Sequence, residues 1–315
     1  MKQKIVLFTI LIISFYACKK DGASTNKTTA TQNTSAGKYL LFDADELYNS
    51  GKSSTPSLFT SLYRTNLDGS GLTRLTTPPP NYFDYRASIS SDGSKIIFVR
   101  GNQDDTDRGL YTIDSAGNNL TNITKGNEVD YAFFSPDGAH VVYAKSLVDN
   151  VPYTLDVYVA NADGSNEQKI TSFANQNGEA IPVGWSQNGR MYIVAAGNSI
   201  KTGVYSINAD GSGMQFITSN RSIEAISPDG KYFLFDSLTG LSICNIDGSN
   251  VKTVLSFTSN YPDELVGAAW SADEKEIYFL GYDTATKTPA LSKVNTDGSG
   301  LTKVLNGYYE YPGIH

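Results

Sequence analysis

The stretch Val204–Thr218, VYSINADGSGMQFIT, alternates apolar and polar residues, breaks at Asn208-Ala209-Asp210-Gly211 and alternates again. Five further segments copy it: LYRTNLDGSGLTRLT from Leu62, LYTIDSAGNNLTNIT from Leu110, VYVANADGSNEQKIT from Val157, LSICNIDGSNVKTVL from Leu241 and LSKVNTDGSGLTKVL from Leu291. Asp-Gly stands at the break in five of the six (Asp68, Asp163, Asp210, Asp247, Asp297), and the sixth keeps the glycine as Gly117. The break glycines, at 69, 117, 164, 211, 248 and 298, are spaced by 48, 47, 47, 37 and 50 residues. A period of this size marks a repeat architecture in which each repeat is one supersecondary unit.

A second turn interleaves with the first, in ASISSDGSKIIFVR from Ala87, AFFSPDGAHVVYAK from Ala132, GWSQNGRMYIVAA from Gly184, EAISPDGKYFLFDS from Glu224 and AAWSADEKEIYFLG from Ala268. Serine suits position i of a type I turn, proline brings its fixed φ to i+1 and glycine suits i+3, so Ser-Pro-Asp-Gly reads as a turn between strands. The flanks are rich in aromatic and β-branched residues, as in Lys231-Tyr232-Phe233-Leu234-Phe235, the signature of strands. Asn-x-Asp-Gly joins a second strand pair in the same way. Each repeat therefore holds four short antiparallel strands, the inner one ending at the first turn and the fourth ending near Leu-Thr. Four antiparallel strands in a unit of this length make one propeller blade, and the fold class is all-β, a six-bladed β-propeller.

These motifs resemble the TolB-type propeller repeat, a relative of WD repeats whose pattern runs Trp-Ser-Pro-Asp-Gly-Lys, an apolar strand and Asp-x-Asp-Gly. The resemblance spans Gly37–His315. Trp185 and Trp270 fall on the family's tryptophan position and Ile89, Phe134 and Ile226 replace it elsewhere, so the position reads as core between blades. Five blades have a complete inner strand, whereas the first copy begins abruptly at SAGKYLLFDA from Ser35. The terminal YYEYPGIH, Tyr308–His315, looks like the inner strands DYRASIS and DYAFFS cut off before the turn. Set beside Gly37 it completes the blade, so the N- and C-terminal strands are expected to close the ring and remove its open edges.

Lys2, Lys4, the apolar run Ile5–Tyr16 and Ala17 form a signal peptide over 1–17, whose apolar core is too short for a stable membrane span. Cys18 follows at once, and SFYACKK resembles the bacterial lipoprotein box, in which that cysteine is lipidated; Phe15 departs from the usual aliphatic residue, and ordinary secretion is the plainer reading. Residues 18–36 are expected to be the lipidated cysteine and a flexible tether of Thr, Ser, Asn, Lys and Ala, and 37–315 the propeller. Cys244, the other cysteine, lies in a strand pattern and calls for no disulfide. The formal charge of −7, two units more negative once Lys2 and Lys4 leave, argues against a nucleic acid partner.

Catalytic chemistry finds little support. His140 follows a turn and His315 is terminal, so no histidine cluster for a transition metal can be assembled. Propellers of this kind precede the catalytic domain in prolyl-oligopeptidase relatives, but no G-x-S-x-G elbow occurs. The Gly-Ser-Gly triplets belong to hairpins and not to a phosphate loop. As calcium loops of the EF-hand kind the Asn-x-Asp-Gly turns fail, because position 1 would be Arg64 or Ser206 and position 12 Leu75 or Ile217.

One constellation remains. An acidic residue precedes each inner strand, with aromatic company: Asp84, Asp130, Glu179, Glu224, Glu264 and Glu310. In a propeller these positions surround one mouth of the central channel, where the carboxylates would form a ring able to hold a cation such as Ca2+, a basic peptide or a sugar. Tyr82, Phe83, Tyr85, Tyr131, Tyr261, Tyr308, Tyr309 and Tyr311 would supply apolar faces there. The other reading is of solvated loop acids. A second loop set carries Asp43, Asp45 and Glu46, then Arg100, Asp104, Asp105, Asp107 and Arg108. The expected function is a non-catalytic binding or scaffolding lipoprotein of the bacterial cell envelope, monomeric, without a cofactor, anchored at the outer membrane and binding a protein or glycan at the mouth and blade loops. TolB carries a further N-terminal α/β domain, which Lys19–Ala36 cannot build, so the resemblance by itself does not imply membership in its assembly. The alternative is a carbohydrate-active enzyme, since related repeats occur in oligogalacturonate lyases; those use histidine-rich metal sites, and here carboxylates and tyrosines would have to serve.

Overall fold

The computed structural model describes residues 39–48, 57–102, 107–124, 129–146, 154–173, 178–198, 200–219, 223–237, 240–256, 265–283 and 288–306. The segments 1–17 and 18–36, Cys18, and the strand expected at Tyr308–His315 lie outside them. Blade 1 holds β1 (Tyr39–Tyr48), β2 (Ser57–Asn66) and β3 (Thr73–Arg74). Blade 2 holds β4 (Tyr82–Ile89), β5 (Lys95–Asn102), β6 (Arg108–Asp114) and β7 (Thr121–Asn122), and blade 3 holds β8 (Val129–Phe134), β9 (His140–Ser146), β10 (Leu155–Asn161) and β11 (Gln168–Lys169). Blade 4 comprises β12 (Glu179–Trp185), β13 (Met191–Gly197), β14 (Ile200–Ile207) and β15 (Gln215–Thr218). Blade 5 comprises β16 (Ile223–Ile226), β17 (Tyr232–Ser237), β18 (Gly240–Asn245) and β19 (Lys252–Ser256), and blade 6 β20 (Leu265–Trp270), β21 (Glu276–Asp283), β22 (Thr288–Asn295) and β23 (Thr302–Asn306). Strands within each sheet follow chain order, five sheets having four strands and blade 1 three among the described residues.

The inner strands β4, β8, β12, β16 and β20 touch one another in succession around the axis. Blade 1 then packs on blade 6 through Leu40, Phe42 and Tyr63 against Ala269, Tyr278 and Leu291, so the six blades form a closed propeller. A strand inside a blade has a neighbouring blade on each face, which is why its apolar residues run on without alternation. Ile96, Ile97, Phe98 and Val99 of β5 are all fully buried. Ile96 and Phe98 join a cluster with Leu41, Leu62 and Leu75 of blade 1, while Ile97 and Val99 join Val129, Val141 and Tyr143 of blade 3. Burying each such side chain is worth roughly 1.5–3 kcal/mol. Trp185, Trp270, Ile89 and Phe134 are buried in these joints, with Ile226 packed at the edge of another.

The Asn-x-Asp-Gly turn does two jobs. Its aspartate carboxylate accepts the hydroxyl and backbone N–H of the serine two residues on, as Asp68 does from Ser70 and Asp163 from Ser165. These bonds hold both carboxyls below the ordinary aspartate range, the hydroxyl being the larger cause. Where blade 2 lacks the motif, Asp114 accepts the N–H groups of Ala116 and Asn118 instead. The glycine, at φ between +81° and +95° in all six copies, lies against the outer strand of the preceding blade. A Cβ on Gly117 would stand 2.6 Å from the Leu75 carbonyl oxygen, one on Gly298 2.9 Å from that of Val254 and one on Gly211 3.0 Å from that of Ile170, and the approach is closer still at Gly69 and Gly164. The repeated sequence is thus the repeated joint.

The fourth strands are shorter than the alternation predicts in blades 1 to 3, where each has only two residues. A threonine takes over: the Oγ1 of Thr76, Thr124 and Thr171 accepts the third-strand N–H of Leu62, Leu110 and Val157 at 2.8–2.9 Å. A hydroxyl placed there satisfies a buried donor that the ladder no longer reaches.

Candidate binding site at the leading ends of the inner strands

Each described inner strand carries a β-bulge or register slip, between Tyr85 and Ser88, Asp130 and Phe133, Pro182 and Gly184, Ile223 and Ala225, and Leu265 and Gly267. In blades 2 and 3 the bulge holds non-glycine residues at positive φ, Arg86 at +53° and Tyr131 at +48°. The four described acids stand at the leading, N-terminal ends of consecutive inner strands, but not at one level. Asp84 precedes Ser90 by six positions, Asp130 precedes Ser135 by five, Glu179 precedes Ser186 by seven and Glu224 precedes Ser227 by three. A bulge shifts facing and depth, so the four acids stand at different offsets from the turns that end their strands. Tyr261, Glu264, Tyr309 and Glu310 lie outside the described residues.

Asp84 is fully buried and faces Arg100 directly across the β4–β5 pair. The pair is bidentate, Nε to Oδ1 at 2.6 Å and Nη2 to Oδ2 at 2.7 Å. The Arg100 guanidinium also lies 5.2 Å over the Tyr111 ring. Asp130 receives two arginines from blade 2, pairing with Arg86 and with Arg108, the latter at 3.4 Å. Arg100 and Arg108, expected as loop charges, are buried strand residues that neutralise the mouth acids. While arginines hold these carboxylates, neither is a free base or an open ligand for calcium. Asp45 and Glu46 have undescribed side chains, and Asp104 and Asp105 lie outside the described residues.

Arg86 stacks 3.8 Å over the Tyr131 ring and lies 5.8 Å from that of Tyr85. Burial, the largest single influence, opposes its charge, but the Asp130 carboxylate together with Tyr131 and Tyr85 more than offsets it and raises the guanidinium above its ordinary range. Burial raises the Tyr131 phenol; Arg86 opposes that rise, and Asp130 and Glu179, both close by, add to it. At the rim the Tyr82 hydroxyl donates to Asp107 at 2.7 Å, a bond that raises its own pKa. The site is therefore a bridge between blades 2 and 3 that presents an arginine and two tyrosines, all partly accessible, beside Glu179. Sequence reading found the acids and tyrosines, assigned Arg100 and Arg108 to a separate loop set and passed over Arg86; Arg100, a charge at the end of the buried run Ile96–Val99, was the available signal.

Glu224 differs. It sits in β16, half-buried along its whole length. Burial pushes its carboxyl up to about 8, Asp236 adds to the rise and the Ala268 N–H opposes it. An unfolded glutamate titrates near 4.3, so the folded chain keeps a proton that the unfolded chain releases, and stability falls as pH rises from about 4.5 to about 8. Glu224→Gln should remove that loss. Thermal unfolding across pH is expected to show the variant level with the parent at pH 4.5 and more stable at pH 9, by about 2–4 kcal/mol after allowing for solvent reaching the side chain. Parallel pH profiles would contradict this placement.

Among the described residues no three His, Cys, Asp or Glu stand close enough to share a metal ion. At the opposite end of the ring a cleft of about 870 Å³ opens between blades 3 and 4.

No family model matches the chain, and no curated protein matches it. Solved structures do. TolB from Acinetobacter baumannii superposes with a TM-score of 0.61 at 16% identity, over 81% of this chain and 61% of that one, so the chain spans about three fifths of its length. A putative TolB from Agrobacterium tumefaciens gives 0.56 at 17% identity, over 74% of this chain and 84% of that one. An oligogalacturonate lyase in complex with manganese gives 0.55 at 15% identity, over 82% and 73%. What the chain shares with TolB and with an enzyme alike is the fold, that of a TolB-like six-bladed β-propeller.

Proposed function

We propose that this protein is a non-catalytic binding or scaffolding lipoprotein of the bacterial cell envelope, anchored through Cys18 at the outer membrane and acting as a monomer. Its partner, a protein segment in preference to a glycan, docks at the leading ends of the inner strands of blades 2 to 4. The observation that carries this reading is the Arg86–Tyr131 stack, built from two adjacent bulges at positive φ. Such non-glycine conformations cost of order 1–3 kcal/mol each and gather at functional sites. Arginine and tyrosine, held in place and partly accessible, are the side chains that dominate protein interfaces. The leader with its cysteine and the likeness to TolB structures support the envelope location.

A second reading, a carbohydrate-active enzyme, draws on Glu224, whose carboxyl is pushed up to about 8 by burial with Asp236 adding to the rise, the direction a general acid requires. One experiment separates them. A photo-crosslinking residue in place of Tyr82 should capture a discrete partner in living cells, a control at Lys303 should not, and Tyr131→Ala should lower capture about tenfold. Equal capture from both positions would overturn the docking site. Glycan cleavage by the purified protein, lost in Glu224→Gln, would establish the enzyme.

A further inference from the structure

The cleft between blades 3 and 4 lies at the trailing ends of the inner strands, away from the Arg86–Tyr131 site. At other joints the turns of neighbouring blades touch. Ser91 Oγ donates to the Pro136 carbonyl between blades 2 and 3, Asp229 N–H donates to Glu274 between blades 5 and 6, and Gly230 abuts Ser186 and Gln187 between blades 4 and 5.

Three departures from the repeat converge on this cleft. Glu167 occupies a position that is apolar in every other blade, as Leu72, Leu120, Met214, Val251 and Leu301. Gln187 stands where the other turns have Ser91, Pro136, Pro228 and Ala272, and Asn188 where they have Asp92, Asp137, Asp229 and Asp273. Local departures of this kind gather at functional or strained sites. Glu167 accepts from Lys145 Nζ at 2.8 Å and from the Tyr143 hydroxyl. Burial works against its charge, but the Lys145 and Tyr143 bonds outweigh it and keep the carboxyl below the ordinary glutamate range. Gln168, Gln187 and Asn188 are exposed along the walls, and Trp185 with Val159 and Ala160 forms an apolar part of the lining. The indole N–H of Trp185 has no partner, but neither has that of Trp270 at the matching place in blade 6, so this belongs to the repeat and not to the cleft.

We propose that this cleft binds an uncharged, hydroxyl-rich sugar chain. Carboxamides carry two donors and an acceptor on one planar group, which matches neighbouring hydroxyls that each donate and accept. Asp137, Glu167 and Asp210 in the lining repel an anionic ligand. All three are already committed, Asp137 and Asp210 to serine hydroxyls and backbone N–H groups and Glu167 to Lys145, so a cation gains less than their number suggests. Polar walls over an apolar lining, in a volume within the range of small-ligand sites, suit a few sugar units.

Trp185 makes the test direct, because the chain has only two tryptophans. In a Trp270→Phe background, neutral hexasaccharides of glucose and of N-acetylglucosamine, a galacturonate hexamer and an uncharged hexapeptide are titrated while Trp185 emission is followed. At least one neutral sugar is expected to shift the emission with a Kd of order 10 μM to 1 mM, the galacturonate and the peptide to leave it unchanged. Glu167→Leu, which installs the residue that blades 1, 2 and 6 carry, should weaken binding about tenfold; Gln187→Ala, at an exposed turn position, should do likewise without touching the core. Tyr131→Ala, at the other end of the ring, should bind the sugar as the parent does, whatever becomes of partner docking there. No shift with either neutral sugar, a response to the peptide or the acidic sugar instead, or unchanged binding in both cleft variants would overturn the proposal.

Discussion

Gly164→Ala is expected to be the most damaging of the six break-glycine substitutions, with loss of soluble protein or a fall in Tm of at least about 10 °C. Gly164 lies nearest of the six to its neighbour, the Ile123 carbonyl of blade 2, and an added Cβ has only backbone to push against. Relief requires blade 3 to move away from blade 2, which strips the joint holding Val129, Val141 and Tyr143 against Ile97 and Val99. Gly138→Ala, in the other turn of the same blade, is the control. Its φ of +69° strains alanine equally, but nothing lies within 4 Å of the new Cβ, so the loss should be about 1–2 kcal/mol. Damage should decline in the order Gly164, Gly69, Gly117, Gly298, following the approach distances. Similar Tm values for Gly164→Ala and Gly138→Ala would show that strain in the turn matters and the joint does not.

Those glycines explain why the architecture was legible. The turn chemistry that spaces the strands within a blade is the same chemistry that spaces one blade from the next, so the motif period and the structural period coincide. Features set between strands were hidden. The fourth strands of blades 1 to 3 stop after two residues because Thr76, Thr124 and Thr171 cap the third strands by side chain, and nothing in an alternating pattern announces that exchange.

At the leading ends, the recurring acids drew attention to the end of the ring where the Arg86–Tyr131 stack sits. Counting from the strand start, however, ignores the bulges, which shift facing and depth by different amounts in Asp130 and Glu224. The counter-charges were harder still to see, because Arg108 reaches Asp130 from another blade, 22 residues away in sequence. Glu167 was visible as an oddity in its repeat and acquires meaning only once the turn of blade 4 is known to face it across the cleft.

Arg100→Met is the second large effect expected, and it decides what Asp84 is for. A carboxylate belonging to a ring of mutually repelling acids would gain from neutralisation, so Asp84→Asn would leave stability level or raise it. The structure instead gives Asp84 no exposure and spends both its oxygens on Arg100. Removing one partner of a buried pair strands the other, at a cost of about 3–5 kcal/mol. Arg100→Met should thus shift the urea midpoint strongly downward, and Asp84→Asn should do so to a similar degree by leaving the guanidinium unpaired beneath Tyr111. The double variant should lose less than the two singles together, because each single already removes the pair, and that non-additivity is the signature of direct coupling. Losses that simply add, or an Asp84→Asn protein as stable as its parent, would return Asp84 to the pool of groups available to a ligand.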